Sequence, residues 1–498
     1  MSTPIHAVTA LARWIRLPLL GPPAALVVLG AGFAVAAGGI VAITAAGGAI
    51  VVLLGSLGFF WLERSRPGYL SIEVPIFLLL VATLVLRKGV AEAGGGEAAD
   101  NPLDAYGLFR LACIAAALGF AVVGLLFSPR KAPENKITSL PFRLYWLYAA
   151  VVFMGVAVSI KPVFTAYRAF ELVSALIVLT GAYWSSGRTA LPRIGAMLYW
   201  YAVFLVSTVW IGVVLFPGLN IERVPSPLPY RIRGVFPSVG HDSLGTLGVI
   251  LIVWSVAHLT IPGSPRRSLT KAIALLGLIT LIGAQYRTGY AALAVALALF
   301  LILRKKKALA GVAILAGIIV AVAGDQIIAD AQPFLLRGQT AQEASELQGR
   351  VSYWSVALPA WGDSPFIGGG LQTATRYEVL PEIVLRNGQS PGNVHSTWVE
   401  ALVGTGTIGT LLLATSLLVS LRRARRAASH SSAHLASLLL LAVLTVRSFT
   451  GGGIEQGGDV SLLFLTIALS LRDGEPAAIG AGRSNVLAPG VSRLAGAK

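Results

Sequence analysis

Residues 324–397 read GDQIIADAQPFLLRGQTAQEASELQGRVSYWSVALPAWGDSPFIGGGLQTATRYEVLPEIVLRNGQSPGNVHST, a long polar break in an otherwise apolar chain. The sequence on both sides consists mainly of apolar stretches, and a helix that crosses a bilayer needs about 20 such residues. A polar segment of this length between spanning helices must lie in water or on top of the helical bundle. We call it the large loop and expect it to act as the lid of a site.

The composition predicts an all-α polytopic transmembrane bundle. The chain is 55% hydrophobic and 12% charged, with a mean hydropathy of +0.76, whereas soluble domains carry about 25% charged residues. The candidate spans, about 12–14 in number, are residues 17–37, 41–62, 70–86, 106–127, 142–160, 168–184, 194–216, 243–260, 271–285, 288–303, 308–323, 398–421, 433–449 and 459–471. The closely spaced pair on either side of Arg287 could be re-entrant instead of spanning.

These spans divide the chain into four regions. Residues 1–323 form a bundle of roughly the first 11 spans, and residues 324–397 are the large loop. Residues 398–472 supply the last three or so spans, and residues 473–498, rich in Gly, Ala and Ser, are expected to be a disordered tail. Within the large loop, helices are expected near 340–361 and from 396 to 421, with an irregular stretch over 362–394.

The net charge of +17 could suggest a nucleic-acid partner, but its distribution indicates a membrane topology instead. The basic residues cluster in alternate short loops, which is the positive-inside pattern. The clusters are Arg64 and Arg66; Arg130, Lys131 and Lys136; Arg188 and Arg193; Arg266, Arg267 and Lys271; Arg304 to Lys307; and Arg422, Arg423, Arg425 and Arg426. With these loops in the cytoplasm, both termini are cytoplasmic and the large loop is extracytoplasmic.

Several arginines fall on the outer side, against the positive-inside pattern. Arg231 and Arg233 occur in YRIRGVFP at 230–237, Arg287 lies in the tight turn QYRTG at 285–289, and Arg350 opens an amphipathic stretch of the large loop. The planar guanidinium group suits phosphate oxygens, so arginines that converge at one outer face would form a pyrophosphate site. The alternative is that each arginine lies at the bilayer interface or pairs with an acid of the loop.

His395 lies where the large loop re-enters the membrane, and His241-Asp242 begins another span on the outer side. A histidine accepts a proton near neutral pH, so His395 could activate a sugar hydroxyl, although a purely structural histidine is the alternative. The pair His430 and His434 has metal-binding spacing, but it lacks a third ligand. We therefore expect no metal.

Neither the candidate nucleotide-binding motif nor the cysteine content of the sequence indicates a function. Residues 404–409, GTGTIG, match the dinucleotide fingerprint, but no strand precedes them. Close helix packing by small residues is the better interpretation. The single cysteine, Cys113, excludes a disulfide framework and a thiolate metal cluster. No cofactor is expected.

Charged residues inside the predicted spans are few. Glu73, Arg110, Glu171 and Arg447 lie near span ends, whereas ion-coupled transporters usually keep ionisable groups near the middle of the membrane. This distribution argues against a transporter or flippase of lipid-linked glycans, which stays open as an alternative.

A set of motifs over residues 230–420 resembles the O-antigen ligase and O-antigen polymerase superfamily. The motifs are Arg233-x-Gly-x-Phe, Arg287 in its turn, Gly349-Arg350 followed by Trp354, the turn Gly368–Gly370, and His395-x-x-Trp running on to Gly406-Thr407-Ile408-Gly409. The order and spacing match, as does a large loop before the last spans. The sequence departs from the family where Ser396 replaces the Asn that commonly follows the histidine.

The resemblance implies a fold like that of the C-type membrane glycosyltransferases, in the bacterial inner membrane. The donor would be a glycan on undecaprenyl diphosphate, and the reaction would be inverting and independent of metal. His395 would be the general base. The residues that would hold the diphosphate are Arg233, Arg287, Arg350 and Arg231, and the supporting residues would be Glu400, His241, Tyr286 and Trp354.

The acceptor is left open by the sequence. A polymerase would transfer the glycan to another lipid-linked repeat and is slightly favoured, because a ligase needs a particular acceptor, the lipid A-core. The partners are then two glycans and membrane lipid, and no nucleic acid. A non-catalytic membrane scaffold is the remaining alternative, and it predicts that alanine at His395 or Arg287 leaves function intact.

Overall fold

The structure, a computed structural model, describes residues 69–85, 105–127, 139–223, 230–235, 237–261, 266–304, 350–387, 394–428 and 432–471. The predicted spans 17–37, 41–62 and 308–323 lie outside the described residues. So do the first part of the large loop, His430 and the C-terminal tail.

Almost all of the described chain is α-helical. The helices are α1 (Val74–Val85), α2 (Ala105–Phe127), α3 (Leu140–Met154), α4 (Pro162–Ser186), α5 (Ala190–Leu215), α6 (Pro217–Asn220), α7 (His241–Leu259), α8 (Arg267–Ala284), α9 (Arg287–Leu303), α10 (Arg350–Asp363), α11 (Leu380–Asn387), α12 (Thr397–Ala428), α13 (Ser432–Thr450) and α14 (Asp459–Ser470). Two π-helical turns, Tyr69–Glu73 and Thr375–Val379, precede α1 and α11. The predicted all-α fold is confirmed.

The helices have the length and hydropathy of membrane spans. Six described segments are long and apolar enough to cross a bilayer: Leu140–Ala157, Pro162–Leu215, His241–Leu259, Arg267–Ala284, Thr397–Ala428 and Ser432–Thr450. Shorter apolar helices cover Leu70–Leu84, Gly107–Val122, Arg287–Leu303 and Asp459–Ser470. Helices suit this environment because every backbone polar group in a bilayer must be satisfied within the protein. The chain is a membrane protein.

The centre of the bundle is α12, which packs against α3 and α13, while α7 packs against α8 and α13. On α3, Tyr145 and Tyr148 are fully buried and meet edge to face at 5.3 Å. A buried tyrosine needs a partner for its hydroxyl group, and both find one in the α13–α14 connection. The Tyr145 hydroxyl donates to Ile454 O at 2.5 Å and the Tyr148 hydroxyl to Glu455 O at 2.8 Å. These bonds hold the connection inside the bundle.

Two small hairpins between α6 and α7 were not predicted from the sequence. The strand β1 (Ile221–Arg223) pairs antiparallel with β2 (Tyr230–Ile232), and β3 (Gly234–Val235) pairs with β4 (Ser238–Val239). The Gln285 side chain donates from Nε2 to Tyr230 O at 2.8 Å. This bond fixes the first hairpin over the turn between α8 and α9.

The long helix α12 is broken at Gly406, whose backbone has φ 64° and ψ −170°. A break leaves backbone groups without helical partners, and residues 365–370 of the large loop supply them. Four backbone bonds do so: Gly369 N to Val403 O (3.0 Å), Gly370 N to Gly404 O (3.0 Å), Thr407 N to Pro365 O (2.8 Å) and Ile408 N to Phe366 O (3.2 Å). We call this set of bonds the brace.

The brace requires glycine on both sides. Gly368 has φ +74°, and a Cβ there would lie 2.5 Å from the carbonyl carbon of Gly404. A Cβ on Gly406 would overlap the carbonyl group of Phe366. Gly404 and Gly406 therefore serve close packing, as the small-residue interpretation expects, but their partner is the large loop instead of a helix.

The prediction of an irregular stretch over 362–394 is wrong in its second half. This stretch contains the π-helix Thr375–Val379 and α11 (Leu380–Asn387). Val379 and Ile383 are buried on one face. The spacing of these two apolar residues matches one side of a helix, which the polar composition of the segment obscures.

Candidate active site

The connections between helices meet at one end of the bundle, which we call the site end. Thr450, the last residue of α13, donates a hydrogen bond to Thr288 in the first turn of α9, with the hydroxyl oxygens 2.8 Å apart. The backbone N–H of Thr397 donates to Gly451 O at 3.1 Å. The large loop, the α8–α9 turn and the α13–α14 connection are thus joined at one end.

His395 has a left-handed backbone with φ 51°, a conformation uncommon for residues other than glycine and concentrated at functional sites. Its neighbours hold it in place. Val394 is fully buried, and its carbonyl accepts a hydrogen bond from Trp354 Nε1 at 3.1 Å. Ser396 and Thr397 on the other side are also buried. The half-buried imidazole is therefore presented from a fixed backbone at the start of α12, next to the residue whose carbonyl Trp354 binds.

Glu400 lies in the first turn of α12 and is buried. Its carboxylate accepts a hydrogen bond from Thr375 Oγ1 at 2.6 Å, so the π-helix of the large loop is tied to the turn that follows His395. Isolated π-helical turns occur frequently at functional sites. Glu400 therefore links the large loop to α12, and the supporting role predicted for it in the reaction stays a prediction.

Glu455 in the α13–α14 connection was missed by the sequence reading. Its carboxylate is buried and accepts hydrogen bonds from Thr397 Oγ1 (2.7 Å) and from the backbone N–H of Gly453 (2.8 Å). Burial raises the pKa of Glu455 above its ordinary value, although these hydrogen bonds act in the opposite direction. The sequence feature that could have indicated Glu455 is its position as the single acid in the glycine-rich run GGGIEQGG at 451–458.

The first hairpin places Arg231 beside an acid. Arg231 lies opposite Glu222 in the β1–β2 register, and its Nη2 is 2.9 Å from Glu222 Oε2. Burial raises the pKa of Glu222, but the hydrogen bond and charge of Arg231 outweigh burial, so the pKa falls below its ordinary value. Arg233 is exposed, and His241 Nε2 lies 3.1 Å from Asp242 Oδ1. Arg231 is thus engaged in an ion pair, whereas Arg233 faces solvent.

This ion pair is expected to be weak and measurable. A double-mutant cycle of Glu222→Gln and Arg231→Gln, followed by thermal unfolding in detergent, should give a coupling of about 0.2–1 kcal/mol at neutral pH. The pKa of the Glu222 carboxyl is lower in the folded protein than in the unfolded chain. The ion pair therefore stabilises the fold fully when the pH is above the pKa that Glu222 has in the unfolded chain. The coupling should vanish as the pH falls through the folded pKa. If the two single substitutions changed the stability by amounts that simply add up in the double variant, the ion pair would contribute nothing to stability. Arg231 would then be able to bind a ligand at no cost to the fold.

The turn between α8 and α9 consists of two residues, Gln285 and Tyr286, and Gln285 has φ 50°. A short turn agrees with the sequence analysis, but Arg287, half-buried, lies just after it, as the first residue of α9. Tyr286 is buried against Gly245 and Gly289, so its contacts are those of a packing residue. Arg350 begins α10, and its side chain lies outside the described residues.

A second basic group at the site end, which we call the cation–aromatic cluster, was also missed. It consists of Lys161, Arg168 and Arg376 around the rings of Phe164 and Tyr377. The two rings meet at 86° with centroids 5.7 Å apart. The signal in the sequence was KPVFTAYR at 161–168, a run of cations and aromatics at the outer end of a predicted span.

Part of the chain matches a known protein family. Residues 272–414 match the family model described as O-antigen ligase. The matched segment runs from α8 into α12 and includes Arg287, His395 and Glu400, whereas both hairpins precede it. None of the curated proteins matches the chain.

Proposed function

Since residues 272–414 make this chain a member of the O-antigen ligase and polymerase superfamily, we propose that it transfers a glycan from undecaprenyl diphosphate to a sugar hydroxyl. The chain is accordingly a glycosyl-transferring membrane enzyme. In this proposal the site end faces the extracytoplasmic side of the bacterial inner membrane, and both termini are cytoplasmic. The observation that carries it is His395, presented with a left-handed backbone between buried residues inside the matched segment.

His395 acts as the general base. Its neutral imidazole takes the proton of the acceptor hydroxyl while the hydroxyl oxygen attacks the anomeric carbon of the donor. The bond between the anomeric carbon and the diphosphate oxygen breaks, and its electron pair leaves with the diphosphate. Because attack comes from the face opposite the leaving group, the anomeric configuration is inverted.

The leaving diphosphate is stabilised by positive charge at the site end. Arg287 at the start of α9 and the exposed Arg233 suit this role, since a fixed charge aimed at the developing anion lowers the barrier. Arg231 is paired with Glu222, so its contribution is smaller than the sequence alone implies. No nucleotide is required, because the diphosphate donor arrives activated.

The acceptor in this proposal is a second lipid-linked repeat, so the enzyme is a polymerase. Purified protein in detergent would be given undecaprenyl-diphosphate glycan as donor, with and without lipopolysaccharide core. A ladder of longer lipid-linked products from the donor alone is expected. Products that form only when the core is present would contradict the polymerase and indicate a ligase. Absence of transfer under both conditions would contradict glycosyl transfer itself.

The role of His395 is tested by His395→Ala in the same assay. Removal of a general base should lower the rate about 10²–10⁴-fold. The matched control is His258→Ala, because His258 lies in the last turn of α7 at the opposite end of the bundle and its loss should leave transfer unchanged. Equal rates in the two variants would remove His395 from the mechanism.

A further inference from the structure

We propose that the cation–aromatic cluster is a subsite for an acidic sugar, a ring carrying a carboxylate, within the glycan substrate. This inference rests on the proposed function and specifies the substrate class. None of the residues of the cluster takes part in the reaction described above.

The cluster forms where the π-helix Thr375–Val379 lies against the first turns of α4. The Lys161 Nζ lies 5.6 Å from the centroid of Tyr377. The guanidinium carbons of Arg168 and Arg376 lie 5.1 Å and 5.6 Å from the centroid of Phe164. Three cations from two distant parts of the chain therefore converge on two rings.

Among the described residues of this region, two buried cations share one carboxylate. Arg110 and Arg168 share one carboxylate, Glu171, with N–O distances of 2.6 Å and 3.1 Å. The three side chains are only 3%, 13% and 2% exposed, in that order. Two buried cations on one anion leave an excess charge, which is costly in a low-dielectric interior. Binding of an anion would compensate for it.

Within the described part of the chain, Arg110 and Arg168 each have one side-chain N–H group that could still donate a hydrogen bond. The Nε atoms of Arg110 and Arg168 are buried and make no hydrogen bond to any described residue. The π-helix does carry an acid, Glu378, but burial and then the charge of Asp363 raise the pKa of Glu378. In the described part of the chain, Arg168 pairs with Glu171, and Glu378 forms no ion pair with Lys161 or Arg168.

The residue types favour a sugar carboxylate. An arginine fork matches the two oxygens of a carboxylate, and Lys161 is exposed at the mouth of the cluster. The half-buried ring of Tyr377 offers a negative face to the C–H groups of a sugar ring. A bare inorganic anion would use the cations and has no C–H groups to place against this ring.

The cluster adjoins the proposed reaction centre. Thr375, the neighbour of Arg376, donates to Glu400 in the first turn after His395. A sugar held by the cluster would therefore lie beside the residue that receives the acceptor proton, and we assign the subsite to the acceptor glycan.

The test is a binding measurement with full-length protein in detergent, without donor and without transfer. The probes are tetragalacturonate, the same tetramer with its carboxylates reduced to alcohols, and inorganic pyrophosphate. We expect tetragalacturonate to bind at least tenfold more tightly than the neutral tetramer. Arg376→Gln and Lys161→Gln should each weaken this binding about tenfold, since each removes a charge-assisted contact.

Arg304→Gln is the matched control. Arg304 is also an arginine over a ring, 5.7 Å from the centroid of Phe300, but it follows α9 at the opposite end of the bundle. Its replacement should leave the affinity unchanged. Lys161 is exposed, so Lys161→Gln stays informative if Arg376→Gln unfolds the protein.

Three results would overturn the proposal. Equal affinity for the acidic and neutral tetramers would exclude carboxylate recognition, and equal losses in Arg304→Gln and Arg376→Gln would show non-specific charge attraction. Pyrophosphate binding that Arg376→Gln abolishes, without tetragalacturonate binding, would make the cluster a diphosphate site. Because no glycan is transferred in the measurement, failure of the proposed catalytic function would leave these outcomes unaffected.

Discussion

Gly406→Ala is expected to cause a large loss of stability. The backbone at Gly406, with φ 64° and ψ −170°, costs another residue type about 1–3 kcal/mol. The new Cβ would also overlap the carbonyl group of Phe366, and overpacking of this kind adds about 1–3 kcal/mol. Relief would require the large loop to move off α12, which would break the brace and displace the π-helix together with Thr375.

The loss can be measured as a shift in the thermal midpoint of the purified protein in detergent, together with its rate of glycan transfer. Gly119→Ala in α2 is the control, because a Cβ at Gly119 meets nothing within 4 Å. Alanine in a helix interior is favoured over glycine by up to about 1 kcal/mol, so this variant should be neutral or slightly stabilised. Similar midpoints for the two variants would show that the brace does not constrain the fold.

Glu171→Gln is the second substitution with a large expected effect. Glu171 is the shared partner of Arg110 and Arg168, and the variant leaves both cations without it. Removal of one partner from a buried ion pair costs about 3–5 kcal/mol. Thermal unfolding should detect this loss, and the double variant Arg110→Met with Glu171→Gln should recover part of it, because one of the stranded charges is then absent.

Glu73→Gln is the matched control for Glu171→Gln. Glu73 pairs with Arg193 through two contacts of 2.5 Å, but these side chains are 16% and 29% exposed. Water can solvate the arginine that remains, so the loss should be clearly smaller. An equal loss in both variants would show that burial does not set the strength of these pairs.

The transmembrane helices could be predicted from the sequence because hydropathy reports directly on which residues leave water. The predicted span 194–216 corresponds to α5, for example, and 243–260 to α7. Strands of two or three residues carry no such periodic pattern. The hairpins therefore could not be predicted from sequence periodicity, and neither could the pairing of Arg231 with Glu222.

The candidate site was only partly predictable, for a related reason. His395 and Arg287 stand out because each lies at a boundary between polar and apolar sequence. Arg168 and Arg376 are separated by more than two hundred residues along the chain, and only the docking of the π-helix on α4 brings them together. Glu455 lies in a glycine-rich connection that resembles an ordinary loop until its hydrogen bonds to Thr397 and Gly453 are seen.

The brace has a consequence for how this protein can evolve. Its four bonds join backbone groups of residues 365–370 to those on either side of Gly406, so they do not depend on which side chains the loop carries, apart from its glycines. The π-helix that begins five residues later presents Arg376 and Tyr377 from this backbone support. Substitutions at these two positions can therefore change the surface that the π-helix presents beside Glu400, while the backbone bonds that hold the loop on α12 stay in place.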